Sequence, residues 1–381
     1  MKNSMKYFFK ESLPSICIIT ALMTAVYCFV LTMANLKYSI EVDGMYTYYN
    51  YPSSCHQTII LMIGALCAII PITNFSKYKN KNAVDVYASL PISRKSFYIQ
   101  KLIIGYIKIF IPFTIAYLAG FIVILVKESD LDLIKYIPMY FLLIISSIAL
   151  YLIFTAFVIK ANRVIDSVFY IIFYCSITGS IITTFFSSSN SILSLYFSLL
   201  LFPFGSFIYI GSHFGTLLLT KCPEIEFSDY NFSLIMMLMS IVVQIVACFL
   251  ACVGISNTIK MSKNEDTEER SKTWFGYKTM IPILYSMSIF SSGLLNISSS
   301  MVLFLFNLVL ETIFYLGLTM GLEFKSFKLP KSRWITFASI FIASILLFFV
   351  SHMGAGTSVE EDANQATCEF LDLFPIKIEN K

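Results

Sequence analysis

Long apolar runs constrain the fold of this chain more than any other feature, because a hydrophobic helix of about 20 residues is long enough to cross a bilayer. Charged residues make up only 13% of the chain, about half the share usual in soluble domains. This excludes a soluble globular protein, and we predict an all-α polytopic membrane protein. Nine runs are expected to span: Pro14–Leu36, Thr58–Asn74, Leu102–Val126, Ile134–Ile159, Ser167–Phe186, Phe232–Ser256, Met280–Leu295, Ser300–Met320 and Ile335–Ser351.

The distribution of lysine and arginine predicts which side of the membrane each loop faces. With the N-terminus in the cytoplasm and nine spans, most of the 27 basic residues fall in cytoplasmic loops. This arrangement requires that a tenth apolar run, residues 191–214, does not cross. Pro203, Gly205 and Gly211 interrupt that run, as in a re-entrant pair of short helices. We therefore expect a multi-pass plasma-membrane protein with an extracellular C-terminus.

The basic stretch from Asn74 to Lys101 separates the second and third runs. Within it, residues 82–90 place apolar side chains along one side at helical spacing. Pro91 predicts a break after Leu90, and Ser93 is suited to N-cap a helix that starts near Arg94. Helix, break and helix together predict a short element on the cytoplasmic surface that continues into a span. The alternative is an ordinary basic loop that anchors two spans.

The segment DVYASLPISRKSFYIQKLI resembles the cytoplasmic signature of the type-2 superfamily of ATP-binding-cassette (ABC) exporter permeases. A run similar to SLP-[VI]-SR-x-x-[IF]-x-x-x-K-L follows the second span of those proteins. The resemblance implies a coupling helix at 82–90 that docks onto a separate ABC ATPase subunit. The docking residues it implies are Asp85, Tyr87, Leu90, Pro91 and Arg94.

The resemblance also implies a domain organisation. We expect an interfacial N-terminal helix at 1–13 and a six-span permease core at 14–256, with the re-entrant segment as its external helices. A cytoplasmic linker at 257–279 would lead to three additional spans at 280–352 and an external tail at 353–381. Some Gram-positive permeases of this superfamily have a charged loop followed by extra spans, and the linker contains a looser version of it around Arg270.

Neither a catalytic nor a metal site is expected. The sequence contains no G-x-x-x-x-G-K-[ST] motif and no H-E-x-x-H motif. Any ATP is therefore expected to be bound by the partner subunit, and no cofactor by this chain. The predicted function is a permease subunit that exports or extracts a hydrophobic or amphipathic substrate, such as a peptide antibiotic, a lipid or a drug. Expected partners are the ATPase, a second permease chain and membrane lipid, without nucleic acid.

Three polar residues within apolar runs form a candidate intramembrane site. Asn307 and Glu311 share one stripe of the eighth run, and Gln244 lies in the sixth. A charged Glu311 near mid-membrane would cost about 2.5–3.5 kcal/mol, so it should face protein or a cavity. It is either a substrate- or proton-sensing group or an interhelical hydrogen-bond anchor with Asn307. We favour the anchor, because the run lies outside the implied six-span core.

Two other functions remain alternatives to the permease. The chain could be a secondary transporter or membrane-embedded enzyme that uses Glu311. It could also be a sensor that uses the permease architecture to detect a peptide that acts on the cell wall.

Overall fold

The described part of each of the nine predicted apolar runs lies on a helix in the computed structural model. The structure describes residues 2–33, 39–42, 46–49, 54–79, 93–127, 136–188, 207, 227–261, 276–295, 301–324 and 329–346. The helices are α1 (Lys2–Met33), α2 (Ser54–Ser76), α3 (Arg94–Lys127), α4 (Tyr136–Lys160), α5 (Val164–Ser188), α6 (Phe227–Met261), α7 (Tyr277–Leu295), α8 (Met301–Leu318) and α9 (331–346).

Within the described residues, six helices are long and apolar enough to cross a membrane. These spans are Met5–Met33, Gln57–Ser76, Lys95–Lys127, Met139–Lys160, Ile241–Ile259 and Leu305–Phe324. The described apolar part of α5, Val164–Gly179, is shorter. The prediction of a helical, multi-pass membrane protein is therefore confirmed. The ABC-type core, the extra spans and the sidedness stay predictions.

A short β-hairpin between α1 and α2 is an addition to the predicted helical fold. Strand β1 (Ser39–Val42) pairs antiparallel with β2 (Tyr46–Tyr49), with Val42 opposite Tyr46. β-Branched and aromatic residues favour strands, and the sequence Asp43-Gly44 between them is typical of hairpin turns. The hairpin was missed because span-length hydropathy does not detect four-residue strands.

Helix α1 is continuous across Pro14, so the predicted interfacial helix and the first span belong to one element. The re-entrant segment lies outside the described residues except for Phe207, which is buried. The linker residues 262–275 and the tail also lie outside them. These assignments stay predictions.

The chain divides into two compact units. The first unit contains Met1–Thr178 and Leu193–Gly276, and the second contains Gly179–Ile192 and Tyr277–Lys381. In the first unit, α1 and α3 run parallel, because Phe8 meets Phe97 at one end and the carbonyls of Leu31 and Thr32 meet Lys127 at the other. The Lys127 ammonium caps the last turn of α1, where carbonyl groups have no partner within the helix.

Close packing of α1 on α3 depends on Gly120. A methyl group there would overlap the ring of Tyr27. The Tyr27 hydroxyl lies 3.0 Å from that of Tyr136, and Tyr117 stacks on Tyr136 with ring centroids 4.2 Å apart. An aromatic layer thus joins α1, α3 and α4 at the end where α1 finishes.

The second unit is built around Tyr285 of α7, which is fully buried. Its ring packs on Tyr315 of α8 and on Phe337 of α9, and its hydroxyl lies 2.7 Å from that of Thr312. Helix α8 continues into a π-helical turn at Thr319–Phe324. Turns of this kind often occur at functional sites.

Candidate functional site

The start of α3 confirms the predicted helix boundary beside the candidate coupling segment. The helix begins at Arg94, and the Ser96 amide donates to the Ser93 hydroxyl at 3.4 Å. Ser93 is therefore the N-cap, as expected after Pro91. Asp85, Tyr87, Leu90 and Pro91 lie outside the described residues, as does the Arg94 side chain, so their docking role stays a prediction.

Aromatic side chains join the two flanks of that segment. We call this group the anchor cluster: Phe8, Phe75, Tyr78, Phe97 and Tyr98. Tyr78 and Phe97, which flank residues 80–92, meet edge to face with ring centroids 4.7 Å apart. Phe75 stacks on Tyr98 at 5.7 Å, and Phe8 meets Phe97 at 5.9 Å. The cluster therefore fixes the end of α2 and the start of α3 against α1, with each pair contributing about 0.5–1.5 kcal/mol.

Lys101 adds a cation to the anchor cluster. Its ammonium lies 3.9 Å from the ring centroid of Phe8 and 5.6 Å from that of Tyr78. Such contacts contribute about 0.5–1 kcal/mol when exposed and about 2 kcal/mol when desolvated. Lys101, which matches a lysine of the permease signature, therefore interacts with aromatic side chains of this chain. The signature alone did not predict that contact.

Lys79, the residue after Tyr78, links this part of the chain to the start of α5. Its ammonium donates to the Arg163 carbonyl at 3.4 Å and to the Ser167 hydroxyl. Burial lowers the pKa of Lys79 to about 7, although the nearby Asp166 carboxylate opposes this shift. A positive charge at a helix N-terminus also meets the unfavourable end of the helix dipole. Sequence reasoning placed Lys79 only among loop charges.

We call the part of the first unit that contains Lys10, Lys79, Lys95, Lys101 and Arg163 its basic end. Just beyond it, Lys108 of α3 donates to Asn74 of α2 at 2.9 Å. A methyl group at Gly105 would overlap the side chains of Tyr151 and Asn74. The absence of a side chain at Gly105 lets α2, α3 and α4 meet closely behind the anchor cluster.

Gln244 is part of a buried polar layer deeper in the first unit. It is fully buried on α6, and its carbonyl oxygen accepts a hydrogen bond from Ser146 of α4 at 2.8 Å. Next to Ser146 along the chain, the Ser147 hydroxyl lies 3.1 Å from that of Tyr106. The Ser147 carbonyl accepts from the Cys67 thiol at 3.6 Å. Gln244 thus joins α6 to α4 as an interhelical bond.

Glu311 has a hydrogen-bond donor that the sequence did not identify. Ser288 of α7 donates to its carboxylate at 2.8 Å. Asn307, its expected neighbour, is half-buried one turn earlier, and no hydrogen bond joins the two side chains. The structure therefore brings Glu311 together with α7, whereas Gln244 belongs to the first unit.

A buried ion pair lies at one end of the second unit. Arg333 of α9 pairs with Glu323 of the π-helical turn, and both side chains are largely buried. Arg333 also donates to the Lys278 carbonyl at 2.9 Å. The pair ties together the start of α7, the end of α8 and the start of α9.

Comparisons with known proteins identify no relative. No family model, curated protein or solved structure matches the chain. Within the described residues, no group of three His, Cys, Asp or Glu side chains could hold a metal ion.

Proposed function

We propose that this chain is the membrane-spanning subunit of an ABC exporter and is driven by a separate ATPase subunit. One observation carries the proposal: Tyr78 and Phe97, which flank residues 80–92, are in contact, so the two flanks of that segment are fixed at one place on the basic end. The resemblance of Ser89 to Arg94 to the permease signature gives the segment the role of the coupling helix.

The anchor cluster gives a route for mechanical force. Helix α3 begins directly after the segment and has 34 residues, or a length of about 51 Å at 1.5 Å per residue. It packs on α1 at Phe97, Gly120 and Lys127. A push on residues 82–90 would therefore move α1, α2 and α3 together.

ATP binding and hydrolysis on the partner would shift the bundle between inward- and outward-open states. The size of that shift is limited by the difference in affinity of ATP for the two states. The transported substrate would be a hydrophobic or amphipathic peptide, lipid or drug, and a second permease chain would complete the assembly.

The proposed function requires the basic end to face the cytoplasm. Excess lysine and arginine favour that side. Cysteine substitution at Lys272, in the predicted linker of a chain whose nine native cysteines are replaced by serine, tests the orientation. Labelling by a membrane-impermeant thiol reagent is expected only after the cells are opened. Labelling of intact cells would contradict the nine-span arrangement.

Co-purification tests the coupling role. The tagged chain is expected to retain an ATPase subunit with a phosphate-binding loop when isolated from its own cells. Tyr87→Glu and Leu90→Asp should abolish that retention, because a charge would replace an apolar docking contact. Tyr7→Glu is the control, since Tyr7 is 68% exposed on α1, outside the segment. Unchanged retention in both docking variants would overturn the proposed interface.

A further inference from the structure

Glu311 is a carboxyl group without a counter-ion among the described side chains of its unit. The basic side chains there are Lys278, Lys331 and Arg333. Ser288, which bonds Glu311, lies about 15 Å beyond Lys278 along α7, at 1.5 Å per residue. Arg333 is paired with Glu323, about 18 Å from Glu311 along the same helical rod. A charged carboxylate in the middle of a span is costly without a partner.

The side chains around Glu311 are neutral hydroxyl groups. Ser288 donates to its carboxylate, and Tyr315 is a titratable hydroxyl group close to it. Tyr285 is the other titratable group beside it, and its hydroxyl bonds Thr312. From α9, Phe337 packs on Tyr285. Hydroxyl groups serve an acid in either state, because each can donate or accept.

We infer that Glu311 is an intramembrane proton-binding site, with Ser288 as a hydrogen-bond partner that serves both of its states. In the ionised state, Ser288 donates to the carboxylate. When one proton binds, a neutral carboxylic acid forms and its O–H donates to the Ser288 oxygen. One proton is taken up, no other covalent bond forms or breaks, and the hydrogen bond reverses its direction.

A proton fits this place better than a larger cation. The rings of Tyr285 and Tyr315 are buried against each other, so neither presents an open face to an organic cation. A single carboxylate also supplies little charge for a divalent metal ion, whose protein sites use several oxygen ligands. The inference does not depend on the proposed export function, since it concerns only α7 and α8.

Infrared spectroscopy of the full-length chain in lipid nanodiscs tests the site. Spectra recorded over a range of pH should contain a carbonyl band of a protonated carboxylic acid that is lost in Glu311→Gln. Glu11→Gln is the matched control, because Glu11 is exposed on α1 and its loss should leave the band in place. An unchanged acid band in Glu311→Gln would overturn the inference. So would the absence of any such band at every pH, the result expected if a basic side chain of another protein kept Glu311 ionised.

Ser288→Ala tests the hydrogen bond between Ser288 and Glu311, and it remains informative if Glu311→Gln fails to fold. The variant should keep the acid band but shift its frequency, because the acid loses its hydroxyl partner. The same band at the same frequency would show that the acid does not bond Ser288 and would contradict the assignment. Size-exclusion profiles identify the variants that remain folded.

Discussion

In the first unit the ammonium of Lys101 lies against the rings of Phe8 and Tyr78, whereas in the second unit Arg333 lies against the carboxylate of Glu323. The ring contacts are neutral and tolerate small shifts of the cation. The ion pair is buried, and loss of either partner leaves a charge in an apolar surrounding. The difference indicates that loss of the cation should cost less stability at the basic end of the first unit than loss of a charge should cost at the ion pair of the second unit.

The largest expected effect comes from breaking the ion pair. Glu323→Gln should lower the stability of the second unit by about 3–5 kcal/mol, because Arg333 would be left buried and uncompensated. The midpoint of thermal unfolding in detergent, followed by circular dichroism, measures the loss. Lys331→Gln, two residues before Arg333 at an exposed position, should change stability by no more than about 0.5 kcal/mol.

A double variant separates the charge from the packing. Glu323→Leu combined with Arg333→Met should recover much of the loss, since it removes both charges and keeps apolar volume. If the double variant were as unstable as Glu323→Gln, packing rather than charge would hold this end together.

The second expected effect concerns close packing. Gly105→Ala should destabilise the first unit by about 1–3 kcal/mol, because the new methyl group would overlap Tyr151 and Asn74. Gly317→Ala on α8 is the matched control in the second unit, since nothing lies within 4 Å of the added methyl group. The control should be neutral or stabilise by about 0.5–1 kcal/mol, because alanine favours a helix over glycine. Equal losses in the two variants would remove this contrast between the units.

The positions of the helices could be predicted from the sequence, since span-length hydropathy is a local property. The N-cap at Ser93 was also predictable, because capping depends on the few residues around Pro91. The hairpin after α1 could have been found from Asp43-Gly44 and the flanking β-branched residues.

The partners of the polar residues could not be predicted, because they depend on which helices meet. The sequence shows that Glu311 lies one turn from Asn307 on the same helix. In the structure Glu311 instead accepts a hydrogen bond from Ser288 on another helix. Likewise, Lys79 bonds α5 more than eighty residues away, and hydropathy contains no information about that contact.

A smaller effect is expected at the anchor cluster. Lys101→Met should cost about 0.5–2 kcal/mol through loss of the ring contacts with Phe8 and Tyr78. Lys95→Met, in the exposed first turn of the same helix, should leave stability unchanged within about 0.5 kcal/mol. Thermal unfolding again measures both, and a larger loss for Lys95→Met would contradict the role given to the cluster.

The last expected effect is a pH dependence of stability that comes from Lys79, and its sign follows from the shift in pKa. Because its pKa falls from 10.5 to about 7 on folding, the unfolded chain holds a proton between these values that the folded chain has released. The free energy of unfolding should therefore rise with pH across this window, with this residue adding at most about 1.4 kcal/mol per pH unit. Lys79→Met should remove that part of the slope, whereas Lys10→Met, at an exposed site of the basic end, should keep it. An identical pH dependence in wild type and Lys79→Met would show that the Lys79 amine is solvated, and the link from α2 to α5 would then contribute no pH dependence to the first unit.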